Sequence, residues 1–202
     1  ADLGAEVIKI ESPDGDMIRP VGPGGEEGLG AIFQHLNRNK QSVILDLKTE
    51  AGLNALLELA RDADVLVYNI RPAAMTRLGL GWERLHALNP RLIFAGVFGY
   101  SQRGTYAAEP AFDDLIQAAS GLAHAVGVAT GGAPAYAPVT VADRAVGFYA
   151  FGAISAALYA RSRTGKGQRV DIPMFETMTS MVMGDHLYGH TYDPPRGDYG
   201  YP

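Results

Sequence analysis

The sequence predicts an α/β protein with a Rossmann-like parallel sheet and flanking helices. Short apolar segments alternate along the first hundred residues with segments whose apolar residues recur at helical spacing. One of the short segments, residues 64–68, is almost wholly apolar, which is typical of a parallel strand buried on both faces. Because strands and helices alternate, we expect parallel pairing with right-handed crossovers.

The individual elements of the first half follow from local patterns. Apolar segments predict strands at residues 6–11, 42–47, 64–68 and 91–97. A Gly/Pro-rich loop is expected at 13–30, and a broken helical connection at 72–78 and 82–88. Leu53, Leu56 and Leu57 recur at helical spacing and predict a helix over 50–62, with Thr49 as its N-cap.

The second half has longer helical patterns and more glycine and alanine. We expect helices at 111–122, 143–163 and 173–188, a Gly/Ala/Pro-rich stretch at 127–138 and a strand at 168–172. Gly165 is the predicted cap of the longest helix, and Pro173 occupies a first helical position. We assign residues 1–125 to a Rossmann-like large domain and 126–202 to a helix, a strand and a connection toward a second domain.

Composition excludes several functional classes. The 202 residues contain 17 Lys+Arg against 22 Asp+Glu, a formal charge of −5, and no basic run, so no nucleic-acid partner is expected. The absence of cysteine excludes disulfides, thiolate metal ligands and cysteine nucleophiles, and is compatible with a cytoplasmic location. The longest uncharged stretch, 145–160, is shorter than the roughly 20 residues of a bilayer span. We expect a buried helix there and no membrane association.

Both ends of the sequence suggest a longer protein. The chain starts without methionine, and residues 1–5 resemble the end of a helix and its glycine cap before a strand. The last ten residues are a loop rich in proline and glycine. We therefore expect the chain to be a fragment.

Candidate ligand-binding residues follow two predicted strands, where ligands of open parallel sheets bind. Asn69, Ile70 and Arg71 follow one strand, with Arg77 soon after. Phe98, Gly99, Tyr100 and Ser101 follow the next. The arginines suit phosphates or carboxylates, although solvated loop charges remain an alternative. No G-x-G-x-x-G sequence follows a strand, so a dinucleotide fingerprint is absent.

Asp143 stands at the start of the longest predicted helix. A carboxylate there is stabilised as an anion by free backbone N–H groups, so it is either a simple N-cap or a nucleophile. Asp113 and Asp114 open another predicted helix and are interpreted as N-terminal helix charges. His186 and His190 have a metal-binding spacing but lack a clear third ligand, so no metal site is predicted.

Several segments together resemble the class III CoA-transferases, also known as the CaiB/BaiF or formyl-CoA transferase type. The resemblance rests on residues 1–11, 37–42, 64–72, 82–90 and 164–170, which follow the family's order. It implies a Rossmann-like large domain and a small domain, a chain about twice this length, and a homodimer of two interlocked chains.

The resemblance also implies the site and its reaction. Asp143 falls on the family's catalytic aspartate, which passes through aspartyl-anhydride and aspartyl-CoA intermediates while CoA moves from an acyl-CoA to a carboxylic acid. Acyl-CoA is then a substrate, with no tightly bound cofactor and no metal. The segments that resemble CoA contacts are Asn37, Arg38, Asn39 and Lys40; Asn69, Ile70 and Arg71; Arg77; and Phe98, Gly99, Tyr100 and Ser101.

Two alternatives remain within the same fold. The related α-methylacyl-CoA racemases add a histidine base before the helix that ends in Ser-Gly, but this chain has Phe112 there, which cannot move a proton. A relative that binds CoA without catalysis is the other alternative. The sequence does not predict which acids are the donor and the acceptor.

Overall fold

The computed structural model describes residues 1–24 and 29–200. The strands in each sheet pair in parallel and alternate with helices, which confirms the predicted α/β class. The chain divides into two compact units, Ala1–Asp62 and Ala63–Pro202. The assignment of residues 1–125 to a large domain stays a prediction, because this division concerns only compactness within the chain.

The first unit is a two-stranded parallel sheet with two helices. Its elements are β1 (Ile8–Glu11), α1 (Ala31–Asn37), β2 (Gln41–Ile44) and α2 (Glu50–Asp62). Helix α2 has the predicted bounds, and the Gly52 N–H donates to Thr49 Oγ1 at 3.1 Å, as expected of the predicted cap. Helix α1 was not predicted. It is short, buries only Phe33 and has no side-chain cap, so its sequence carries little helical signal.

The carboxylate of Glu11 organises the loop that follows β1. Its side chain is buried and accepts hydrogen bonds from Arg19 Nε and Nη2 at 2.7 and 2.8 Å and from Ser42 Oγ at 2.7 Å. The Asp16 N–H donates to the same carboxylate at 3.0 Å, and the Asp16 side chain pairs with Lys9. The Arg19 hydrogen bonds outweigh burial and lower the pKa of Glu11 to about 2. The loop is thereby held against the end of the strand.

The second unit is a three-stranded parallel sheet in the order β3-β4-β5, with helices on both faces. Its strands are β3 (Val65–Tyr68), β4 (Ile93–Phe98) and β5 (Gln168–Pro173). Its helices are α3 (Pro72–Arg77), α4 (Trp82–Leu88), α5 (Asp113–Ala119), α6 (Leu122–Thr130), α7 (Val141–Thr164) and α8 (Met174–Leu187), followed by a 3₁₀-helix at Tyr188–Thr191.

Apolar side chains from α5, α7 and α8 form the core on one face of this sheet. The buried members of the cluster are Ala95, Ile116, Ala142, Val146, Ala150, Ile172, Met178 and Val182. On the other face, the Phe94 ring packs against Tyr68 and Trp82, with ring centroids 4.8 and 6.0 Å apart. The central strand β4 is therefore covered on both faces, as its apolar sequence predicts.

The helix predicted at residues 111–122 is wrong in its extent. The structure begins α5 at Asp113, ends it at Ala119 and starts α6 at Leu122. Gly121 between them has a φ of +86°, a left-handed conformation that glycine adopts without strain and that interrupts a helix. Helix α6 then continues to Thr130, inside the stretch predicted as a Gly/Ala/Pro-rich connection.

Helix α7 buries only one of its faces, so the expected buried helix is only partly correct. Ala142, Val146, Ala150 and Ala157 are buried. The opposite face exposes large apolar side chains: Phe148, Tyr149, Phe151 and Tyr159. Among the described residues, α7 alone is long and apolar enough to cross a membrane by length and composition. Within its most apolar 18-residue stretch, 22% is buried inside the protein. Its surface is thus much more apolar than that of a solvated helix.

The Glu11 network predicts a specific loss of stability. Glu11→Gln is expected to lower the free energy of unfolding by about 1–3 kcal/mol, because the hydrogen bonds at this buried position lose their charged acceptor. Since the pKa of Glu11 is lowered from 4.5 to about 2, the stabilisation is complete above pH 4.5 and disappears as pH falls through about 2. Urea unfolding of wild type and variant across this pH range measures it.

Glu58→Gln is the matched control. Glu58 pairs with Arg61 on the surface of α2, where both side chains are more than half exposed, and its replacement should change stability by less than about 0.5 kcal/mol. Equal losses in the two variants would contradict a special role for Glu11.

Candidate active site

Asp143 lies in the first turn of α7. Helix α7 begins at Val141 after Thr140, so Asp143 is the third helical residue and not the N-cap considered from sequence. Its side chain faces solvent at the helix end where free N–H groups favour an anion. Partial desolvation, and next the charge of Asp113, raise its pKa, while Arg144 opposes the rise. An exposed carboxylate with raised basicity is suited to nucleophilic attack.

A buried carboxylate, Asp113, fixes the backbone of Asp143. The Asp143 N–H donates to Asp113 Oδ1 at 2.9 Å, although the two residues are thirty positions apart. Asp113 Oδ2 accepts from Gln117 Nε2 at 2.6 Å, and Gln117 Oε1 accepts from the Ala137 N–H at 2.9 Å. These hydrogen bonds join the start of α5, the start of α7 and the loop between α6 and α7.

The turn after β4 lies beside this pair. A Cβ atom at Gly99 would lie 2.2 Å from the Ala111 Cβ atom, so the close approach requires glycine. The Gly99 carbonyl accepts from the Phe175 N–H at 2.9 Å, and the Ser101 N–H donates to the Glu176 carboxylate at 3.0 Å. The predicted segment from Phe98 to Ser101 is therefore held by backbone hydrogen bonds. It contacts Ala111, which lies two positions before Asp113 in the sequence.

The segment after β3 leaves the sheet at the same edge. Strands β3 and β4 pair in parallel, so Asn69, Ile70 and Arg71 follow β3 at the edge where Phe98 ends β4. Arg71 immediately precedes α3, and Arg77 lies in its last turn. The arginines are exposed. The structure thus brings two of the predicted CoA segments to one edge of one sheet.

The predicted segment 37–40 belongs to the first unit. Asn37 is the last residue of α1, and Arg38, Asn39 and Lys40 connect it to the amino end of β2. This is not the carboxyl end where ligands of parallel sheets bind. Arg38 pairs with Asp2, and Lys40 Nζ donates to Asn37 Oδ1 at 3.1 Å. Burial, and next the charge of Lys9, lower the pKa of Lys40. A CoA contact of this segment remains a prediction.

An open cleft of about 640 Å³ adjoins the turn after β4. Phe98, Ser101, Arg103 and Arg169 line it together with neighbouring residues. Arg169 Nε donates to Asp171 Oδ1 at 2.8 Å, so part of its charge is already compensated. Asp143 is not among the residues that line this cleft.

The histidines singled out from sequence do not share a helix face. His186 lies in the last turn of α8, but His190 lies in the following 3₁₀-helix, because α8 ends at Leu187. The His190 ring stacks on Tyr199 with centroids 3.6 Å apart. Within residues 1–24 and 29–200, no group of three or more His, Asp or Glu side chains is arranged to hold a metal ion.

The partners of Asp143 were not predicted from sequence. Asp113 was expected to be a helix charge, whereas the structure buries it as a hydrogen-bond acceptor. Gln117 was not among the candidate residues. The available signal was the four-residue spacing of these two side chains, which places them on one face of a helix.

The fold and site define a Rossmann-like α/β protein with a fixed, exposed carboxylate near the carboxyl edge of a parallel sheet. The family model of CoA-transferase family III matches residues 1–200. The chain therefore belongs to CoA-transferase family III, which confirms the resemblance derived from sequence.

Individual relatives agree with this assignment. The acetyl-CoA:oxalate CoA-transferase of Acetobacter aceti is 44% identical over 177 residues, 87% of this chain and 45% of that protein. The succinyl-CoA:glutarate CoA-transferase of Mus musculus is 36% identical over 192 residues, 93% of this chain and 44% of that protein. The crystal structure of a CaiB/BaiF family protein from Brucella suis has a TM-score of 0.88 and 33% identity, covering 99% of this chain and 53% of that chain. The chain thus spans about half the length of these relatives.

The geometry predicts how Asp113 affects Asp143. Asp113→Asn should lower the pH midpoint at which the Asp143 carboxyl titrates, because a negative charge that raises its pKa is removed. Carbon-13 NMR of the labelled Asp143 carboxyl measures this midpoint. Asp114→Asn, at the exposed neighbouring position, is the control. An unchanged midpoint in Asp113→Asn would show that the two carboxylates are not electrostatically coupled.

Proposed function

We propose that the protein carrying this sequence is a CoA-transferase that moves CoA from an acyl-CoA thioester to a carboxylic acid, with Asp143 as its nucleophile. The activities by which the relatives are named support the reaction class. The observation that supports the residue is the exposed Asp143 carboxylate, whose backbone is fixed by a hydrogen bond to buried Asp113. Acyl-CoA is a substrate in this proposal, with no tightly bound cofactor and no metal.

The first half of the reaction transfers CoA to the enzyme. An oxygen of the Asp143 carboxylate attacks the thioester carbon, the carbon–sulfur bond breaks, and CoA leaves as its thiolate, giving a mixed anhydride. The thiolate then attacks the aspartyl carbon of the anhydride and breaks its bond to the bridging oxygen. The donor acid is released as a carboxylate, and Asp143 carries CoA as a thioester.

The second half repeats these steps in reverse with the acceptor acid. The acceptor carboxylate attacks the aspartyl thioester and displaces CoA thiolate, which gives a second mixed anhydride. The thiolate attacks the acceptor's acyl carbon, releasing the new acyl-CoA and the free Asp143 carboxylate. The complete cycle consumes no proton and no redox equivalent, so Asp143 needs no separate acid or base.

The electrostatics of Asp143 suit this role. Desolvation and the neighbouring Asp113 charge raise its pKa, and a more basic carboxylate oxygen is a better nucleophile while it stays ionised. Water must be kept from the anhydride and the thioester, because both hydrolyse. Asp143 is exposed in the described chain, so we propose that other parts of the working protein cover it.

The exposed apolar face of α7 supports a homodimer. Phe148, Tyr149, Phe151 and Tyr159 stand on the surface of the helix that begins at Asp143's turn. Apolar side chains grouped in this way are typical of surfaces covered by another chain or domain. A partner chain seated here would exclude water close to the reacting carboxylate. We propose an interlocked homodimer, as the resemblance implies, and a cytoplasmic location, with which the cysteine-free sequence is compatible.

The predicted CoA contacts are also part of this proposal. Asn69, Ile70, Arg71, Arg77 and the segment Phe98, Gly99, Tyr100 and Ser101 follow strands at one sheet edge. Guanidinium groups there would bind the phosphates of CoA through charge-assisted hydrogen bonds. Asn37, Arg38, Asn39 and Lys40 remain proposed contacts on the resemblance alone.

A racemase reaction is disfavoured by the residue before α5. Phe112 directly precedes Asp113, and its ring is 64% exposed. A phenyl ring cannot take or give a proton, so the two-base exchange of an acidic α-hydrogen has no partner for Asp143 at this position.

Chemical trapping tests the proposed nucleophile. The full-length protein is mixed with a panel of acyl-CoAs, quenched with hydroxylamine, digested and measured by mass spectrometry. An aspartyl hydroxamate is expected at Asp143. Asp143→Asn should lower the transfer rate by at least about 1,000-fold, because removal of a covalent nucleophile leaves only binding and positioning.

Asp185→Asn is the control, since Asp185 is an exposed carboxylate on α8 outside the site. It should leave both the adduct and the rate unchanged. Exchange of the α-hydrogen with solvent D₂O, without any Asp143 adduct, would replace the transferase proposal with the racemase. Tight CoA binding without adduct or exchange would identify a binding protein.

Replacement of Arg71 tests the proposed CoA contacts at the edge of the sheet. Arg71→Ala should weaken CoA binding by about tenfold and reduce its salt dependence, because one charge-assisted hydrogen bond to a phosphate is lost. Titration calorimetry with CoA at two salt concentrations measures both effects. Arg61→Ala, on the exposed surface of α2, is the control. Equal dissociation constants in the two variants would remove Arg71 from the site.

A further inference from the structure

Gln117 is a buried polar side chain that the reaction described above does not use. It lies on α5, its side chain is 1% exposed, and it is among the most completely buried residues of the described chain. A buried amide needs partners at both its oxygen and its nitrogen, because an unpaired buried polar group is strongly unfavourable. In this structure both the oxygen and the nitrogen of the Gln117 amide have a hydrogen-bond partner.

The two ends of the Gln117 amide join different parts of the site. Its nitrogen donates to Asp113 Oδ2 at 2.6 Å, and its oxygen accepts from the Ala137 N–H at 2.9 Å. The other Asp113 oxygen accepts from the Asp143 N–H at 2.9 Å. The sequence of contacts therefore runs from the loop before α7, through two buried side chains, to the backbone of the candidate nucleophile.

No other common side chain of this length makes both bonds at once. The Ala137 N–H needs an acceptor, whereas the Asp113 carboxylate needs a donor. An amide supplies both in a fixed plane, whereas an ionised carboxylate supplies only acceptors. The chemistry of the two neighbours thus favours glutamine over an ionised glutamate, although the two side chains have nearly the same shape.

We infer that Gln117 is a positioning residue for the transfer reaction: by bridging Asp113 and the loop at Ala137, it holds the backbone of Asp143 where attack on the thioester occurs. This inference rests on the proposed role of Asp143. Gln117 does not touch the reacting atoms and acts through Asp113. Small displacements of a reacting group have large kinetic effects, so the bridge should contribute to the rate and not to acyl-CoA affinity.

Gln117→Glu makes the bridge dependent on pH. The new carboxyl would stand where an amide donates to Asp113, so the bridge persists only while the two carboxyls share a proton. When that proton leaves, two like charges repel at hydrogen-bond distance and Asp113 is displaced. Several charged or titratable groups lie on α5 and on the helices packed against it. They are Asp113 and Asp114 on α5 itself; His124 on α6; Asp143, Arg144, Tyr149, Tyr159, Arg161 and Arg163 on α7; and Glu176, Asp185 and His186 on α8.

The experiment is a rapid-quench measurement of acyl-CoA consumption by the full-length protein at saturating acyl-CoA. The ratio of the Gln117→Glu rate constant to the wild-type value is followed from about pH 4 to pH 9, because a carboxyl pair loses its shared proton at about pH 5 in a solvated site and a deeply buried carboxyl only at about pH 8–9. The ratio should approach one at the acid end and fall by roughly 10- to 100-fold at the alkaline end, with KM unchanged. Returning the same sample to acid pH should restore the rate, which excludes irreversible unfolding.

Hydrogen exchange supplies a readout that does not require turnover. In Gln117→Glu the amides of Ala137 and Asp143 should exchange faster than in wild type at alkaline pH, and at the wild-type rate at acid pH. Gln34→Glu is the matched control, because Gln34 is an exposed glutamine on α1 whose amide donates to a backbone carbonyl. It should show neither effect.

The outcomes separate this inference from the proposed function. If wild type forms the Asp143 adduct but the rate ratio of Gln117→Glu does not change with pH, the positioning role is overturned and the proposed function stands. If wild type forms no adduct with any acyl-CoA, the proposed function fails and this inference fails with it. If the rate of Gln117→Glu falls only in proportion to the fraction of folded protein at every pH, Gln117 has a structural role and not a positioning role.

Discussion

The hydrogen bond from the Asp143 N–H to buried Asp113 is the contact on which the candidate site depends. It joins the first turns of two helices that are thirty residues apart in sequence. The position of Asp143, the proposed nucleophile, is thus defined by its backbone, while its carboxylate remains exposed. A side chain held by its own hydrogen bonds would have to break them before attack. When the main chain is fixed instead, no side-chain hydrogen bond has to break, and less conformational entropy is lost when the carboxylate is positioned for attack.

The same contact brings two carboxyl groups close together, which is unfavourable for stability. The charge of Asp113 adds to desolvation in raising the pKa of Asp143, so the folded state carries a repulsion that the unfolded chain lacks. Its sign follows from linkage: because the folded-state pKa of Asp143 is raised, the repulsion is absent at acid pH and develops as pH rises through that pKa. Such local strain is common where chemistry requires a basic nucleophile, and the rest of the fold compensates for it.

Sequence patterns predicted the regular elements well and the site only in part. The bounds of α2, the parallel strands and the glycine cap of α7 at Gly165 depend on neighbours along the chain, and all were expected. The break at Gly121 was missed, because a single left-handed glycine does not disturb helical periodicity. The role of Asp113 was missed for a different reason. An N-terminal helix charge and a buried acceptor have the same local sequence, and only tertiary packing distinguishes them.

In the turn after β4, main-chain contacts determine the path of the backbone. Gly99 permits the close approach to Ala111, while Phe175 and Glu176 hold the turn through its main-chain groups. These contacts involve the main-chain groups of Gly99 and Ser101, so they do not depend on which side chain the turn carries at Ser101. Phe112, by contrast, has an exposed side chain, although its carbonyl accepts from the Ile116 N–H at 3.1 Å. Where main-chain hydrogen bonds define the reacting centre, the exposed side chains can vary in size and polarity without moving it. The size and polarity of the exposed Phe112 side chain can therefore change while the backbone of Asp143 keeps its hydrogen bond to Asp113.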